Sequence, residues 1–88
     1  PPQALYVEPL LATTSGRAVH IDNRKLSRLA KLAGAPESPA AGIQLQVRLG
    51  DEITRGQPLM FLHAQTSGEM AYALAYVQGI GDIVKIEP

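Results

Sequence analysis

The chain has 88 residues, 45% of them hydrophobic, with eight basic and eight acidic side chains and no cysteine. That length suits one domain with a modest core, and the hydrophobic content argues against disorder. Balanced charge gives no field pointing to nucleic acid or an anionic membrane; zero cysteine excludes disulfides and thiolate metal sites; and no signal-peptide pattern or membrane-length apolar run occurs.

The sequence opens Pro1-Pro2 without a methionine, which leads to the expectation of a piece of a longer protein, with Pro1 to Ala4 as linker. Leu5 to Leu11 is apolar enough for a strand, and Pro9, which lacks a donor, pushes it to a sheet edge or a break. Thr13-Thr14-Ser15-Gly16 is a turn cluster, followed by a short strand in which Val19 and Ile21 share a face across His20. Asp22 is placed to cap a helix whose apolar stripe is Leu26, Leu29, Ala30 and Ala33. Gly34 stands where a left-handed C′ residue is needed, and Pro36 enforces the stop. The opposite face of this helix carries Arg24, Lys25, Arg28 and Lys31. Lys31 suits a helix C-terminus, whereas Arg24 and Lys25 gain nothing from the dipole at the N-terminus. Glu37 to Ala41 is expected to be a loop.

The stretch from Gly42 to Ala64 is the centre of the fold. Ile43, Leu45, Val47 and Leu49 alternate with Gln44, Gln46 and Arg48, the two-residue period of a half-buried strand. Gly50-Asp51 predicts a turn, and Arg55-Gly56-Gln57-Pro58 a second turn beyond Ile53. Leu59-Met60-Phe61-Leu62 is a continuous apolar run of the kind buried on both faces. Thr66-Ser67-Gly68-Glu69 matches a capping box and opens a second helix with Met70, Leu74 and Val77 inward and Tyr72 and Tyr76 on another face. Gly79 and Gly81 bracket a turn before a last strand, Ile83 to Ile86. The order strand, strand, helix, strand, strand, helix, strand predicts an α+β domain with a mainly antiparallel sheet and two helices. Its expected core joins Leu45, Val47 and Phe61 to Leu29 and Leu74, so that Phe61→Ala would cost about 3–5 kcal/mol.

Little in the chain suggests catalysis. His20 and His63 are the only histidines and lie far apart in sequence; Asp51 and Glu52 fall in a turn; Ser15, Ser27, Ser38 and Ser67 have no nucleophile-elbow context; and the glycines follow no phosphate-loop spacing. Only the basic face of the first helix, Arg24, Lys25, Arg28 and Lys31, has the look of a contact for a phosphate or an acidic partner, although a solvated outer face is the simpler reading. Tyr72, Tyr76 and Met70 are assigned to packing before docking.

Two resemblances bear on function. Val47 to Leu59 resembles the first half of a biotinyl or lipoyl carrier domain, but Thr66 stands where such a domain presents its modified lysine, so the swinging-arm function is not supported. The second covers most of the chain. Ile21-Asp22-Asn23-Arg24-Lys25-Leu26, Ala30 to Pro36, Ala41-Gly42-Ile43, Gly50-Asp51, Gly56 to Leu59 and His63-Ala64 look, in that order, like the C-terminal domain of pyrimidine nucleoside phosphorylases, on the thymidine phosphorylase branch that includes archaeal AMP phosphorylases. The resemblance implies an α/β-hammerhead, related in architecture to barrel-sandwich and biotinyl-like domains, with residues 1–88 forming one accessory domain packed on the α/β domain of the same parent chain. The parent would be a cytoplasmic, homodimeric pentosyltransferase that splits thymidine with inorganic phosphate into thymine and 2-deoxyribose 1-phosphate. No cofactor, metal or catalytic residue carries over to these positions. The competing reading is a non-catalytic binding module built on the basic helix face.

Overall fold

A computed structural model describes residues 6–35 and 41–88. The expected linker, most of the expected loop at Glu37 to Ala41 and the Pro36 stop lie outside the described residues. Within them the order is β1 (Tyr6–Leu11), β2 (Gly16–Ile21), α1 (Asn23–Leu32), β3 (Gly42–Leu45), β4 (Glu52–Ile53), β5 (Pro58–Ala64), α2 (Ser67–Gly79) and β6 (Val84–Glu87). This is an α+β fold with antiparallel pairing throughout, divided into two three-stranded sheets ordered β1-β5-β3 and β4-β2-β6. In the second sheet β4, a two-residue strand ending in the apolar step at Ile53, pairs with the start of β2.

Local chemistry sets the boundaries. The Asp22 carboxylate accepts the Lys25 amide at 3.1 Å and caps α1. At the other end the Ala35 amide donates to Ala30 and the Gly34 amide to Lys31, both at 3.0 Å, with Gly34 at φ +116°. These are the paired bonds of a Schellman motif, which needs a left-handed residue at Gly34. Thr66 caps α2 by accepting the Glu69 amide at 3.1 Å, and its hydroxyl donates to the Glu69 carboxylate at 3.0 Å. Pro9 sits in β1, which is an unbroken edge strand, the first of the two outcomes open to it. Gly16 is required by close approach: a Cβ there would run into the backbone carbonyl of Glu87.

The helices pack on each other, α1 against β3 and α2 against β5. Leu29 of α1 and Ala33 at its C-cap, Met70 and Ala73 of α2, and Met60, Leu62 and Ala64 of β5 are buried in one core with Val47, Ile53 and Val84. Leu74 is half-buried against it.

Two core assignments are corrected. The alternating run does not form one strand: β3 ends at Leu45, 40% exposed, and Leu49 is 66% exposed, while Val47 is buried. The ladder stops because the chain turns at Arg48, whose amide donates to the Asp51 carboxylate at 2.8 Å and whose carbonyl accepts the Asp51 amide at 3.1 Å. Phe61, placed in the core by its apolar neighbours, is half-buried and lies outside the core cluster. Strand alternation explains it: Met60, Leu62 and Ala64 share the face under the helices, so Phe61 must point the other way. The run at β5 is thus fully buried on one face only.

Candidate functional site

The basic face of α1 divides in two. Arg24, Arg28 and Lys31, spaced i, i+4 and i+7, are exposed and border a shallow depression with Asn23, Ser27 and Leu32. The ion pairs among the described residues, Arg17 with Glu52 at 3.8 Å and Lys25 with Asp22 at 4.0 Å, leave these three cations out. Lys25 does not belong with them. It is half-buried, and its Nζ donates to the backbone carbonyls of Ile80 at 2.9 Å and Asp82 at 3.4 Å. Ile80 is the C-cap of α2, where carbonyls lack intrahelical donors and the dipole favours a cation. Lys25 is therefore an interhelical clamp, engaged inside the domain. The sequence carried a partial signal: a lysine in the first turn of its own helix is poorly placed for that helix and well placed for another.

The remaining polar residues are occupied with turns or kept apart. Asp51 holds the turn at Arg48, Glu52 lies exposed beside Arg17, and the Ser15 hydroxyl accepts the Arg55 amide at 2.8 Å. His20 and His63 sit in different sheets, and no group of three potential metal ligands forms among the described residues. An apolar cleft of about 300 Å³ runs beside Leu10, Leu59, Met60, Val77, Ile83 and Val84. Its lining offers the Thr13 and Thr14 hydroxyls and the Asp82 carboxylate but no cation, so it does not suit a phosphate.

The carrier-type reading fails on geometry as well as on residue type. A swinging-arm lysine needs a hairpin tip, but β5 passes through Gln65 and Thr66 directly into α2, with Thr66 consumed as the N-cap. No helix among the described residues is long and apolar enough to cross a membrane.

Residues 18–83, from the core of β2 to the start of the last strand, match the family model for the pyrimidine nucleoside phosphorylase C-terminal domain. The chain belongs to this family. It is 96% identical over its full length to a protein of Parvibaculum lavamentivorans and 92% identical to one of Tolumonas auensis, and it is 67% identical over 99% of its length to one of Chelativorans sp.. Each of these carries the name "Putative thymidine phosphorylase", and the chain spans 17% of the length of each. As a pyrimidine nucleoside phosphorylase C-terminal domain, the chain places Lys25, Leu29, Ala33, Val47 and Met60 inside the matched region. Lys25 ties α1 to the end of α2, and the other four are buried in the common core.

Proposed function

We propose that this chain is the C-terminal structural domain of a thymidine phosphorylase, a pentosyltransferase in which other domains of the same polypeptide bind thymidine and inorganic phosphate. The family match over residues 18–83 carries this reading, and the names of the long relatives support it. The parent converts thymidine and phosphate to thymine and 2-deoxyribose 1-phosphate, works in the cytoplasm and is a homodimer. Its C-terminal domain has the hammerhead architecture, needs no cofactor, and covers apolar surface of the α/β domain while holding its orientation. Phosphorolysis needs cations around the phosphate and groups that stabilise a departing base. Those groups are assigned to the rest of the parent. Sequencing the reading frame around Pro1 tests the parentage: an open frame encoding the helical and α/β domains is expected, and a start codon next to Pro1 overturns it.

A second reading has one observation behind it, the exposed stripe of Arg24, Arg28 and Lys31 around a shared depression. Such a stripe suits an acidic or phosphorylated partner. Changing all three to Gln in the parent separates the two readings. The structural-domain reading expects activity to hold, and the binding reading expects a large loss in a folded protein.

A further inference from the structure

We propose that the outer face of the β1-β5-β3 sheet is the surface on which the remainder of the parent polypeptide docks; this rests on the reading of the chain as one domain of a longer enzyme. The sheet's inner face is closed by α1 and α2 over Met60, Leu62 and Ala64. The register aligns its outer positions in cross-strand rows, Val7 with His63 and Gly42, then Pro9 with Phe61 and Gln44. The central strand thus presents the chain's only phenylalanine in the middle of this face, half-buried, flanked by exposed Val7, Pro9 and Gln44. None of the six positions is a lysine, arginine, aspartate or glutamate, in a chain with eight basic and eight acidic side chains. An uncharged face around a central aromatic has the composition of the buried core of an interface rather than of its rim. The outer face of α1, with exposed Arg24, Arg28 and Lys31, is the charged contrast within the same domain.

The occupant follows from chain length and chemistry. The chain spans 17% of each long relative, so most of the polypeptide lies outside this domain and is covalently tethered to it. A tethered surface competes at high effective concentration, an advantage that a second copy of the domain lacks. With no charge to match, the complementary surface is apolar, as in a fixed contact between domains.

Single cysteines placed in the full-length parent test the assignment, with native thiols separated by peptide mapping. Val7→Cys and Gln44→Cys report on the outer face, Tyr72→Cys on the exposed side of α2, and Ser27→Cys on α1. Maleimide labelling is timed in native and urea-unfolded parent. Val7→Cys and Gln44→Cys are expected to react at least about tenfold more slowly in the native protein, with Ser27→Cys close to its unfolded rate, because thiol reactivity follows access. The domain itself leaves Val7 49% exposed and cannot supply that protection. Fast labelling of Val7→Cys and Gln44→Cys with slow labelling of Tyr72→Cys would overturn the assigned face while leaving interdomain docking intact. Fast labelling at all four sites would overturn both.

Discussion

The Nζ of Lys25 donates a 2.9 Å hydrogen bond to the carbonyl of Ile80, tying the first turn of α1 to the C-cap of α2. The contact spans 55 residues of sequence and satisfies a carbonyl that α2 cannot satisfy for itself. Hydrogen bonds from charged donors contribute about 1.5–3 kcal/mol, less when part of the side chain is in water. Lys25→Met should therefore destabilise the chain by about 1–2 kcal/mol, and Arg28→Gln by about 0.5 kcal/mol or less. Urea midpoints at constant m-value measure both. Equal effects would place Lys25 among the solvated cations.

Phe61 and Leu62 are neighbours in β5 with opposite surroundings, and truncation should separate them. Leu62 is fully buried, so Leu62→Ala should cost about 2–5 kcal/mol. Phe61→Ala, outside the core, should cost only about 1 kcal/mol in the isolated chain. Equilibrium unfolding of the two variants tests the order, and a larger loss for Phe61→Ala would return it to the core.

How far the fold was legible follows from the range of each determinant. Asp22, Gly34, Asp51, Thr66 and Pro9 act within a few residues, so caps, turns and the edge strand could be read directly. Leu45 and Leu49 could not: their alternation is genuine, but whether a strand continues depends on a partner strand, and bonding to β5 ends with the Gln46 amide on the Leu59 carbonyl. Phe61 was misplaced because hydrophobicity sets a preference for burial without saying which face of a sheet the helices will cover. The candidate site was legible as a charged helix face, while the separate role of Lys25 depended on where α2 ends in space.

The Schellman turn gives a backbone prediction. At φ +116° Gly34 occupies a region that a Cβ disfavours, so Gly34→Ala should cost about 1–2 kcal/mol. Gly16→Ala should cost more, because its Cβ meets the Glu87 backbone rather than a movable side chain. Thermal unfolding of both variants checks the order. Unchanged stability in either would show that the local backbone differs from the one described.

Thr66 provides a test of the discarded carrier reading. Co-expression with a biotin or lipoate ligase should leave the intact mass of the chain unchanged, while Thr66→Ala should cost about 1 kcal/mol through loss of the α2 cap. A mass increase matching either cofactor would restore the carrier reading.

The central claim is that this domain supports a thymidine phosphorylase without performing its chemistry. Purified 88-residue chain, intact parent and parent lacking the domain can be assayed together with thymidine and phosphate, alongside their melting temperatures. The account predicts turnover by the intact parent, none by the chain alone, and a truncated parent with a lower melting temperature and reduced activity. Turnover by the isolated chain, or a truncated parent with full activity and an unchanged melting temperature, would contradict it.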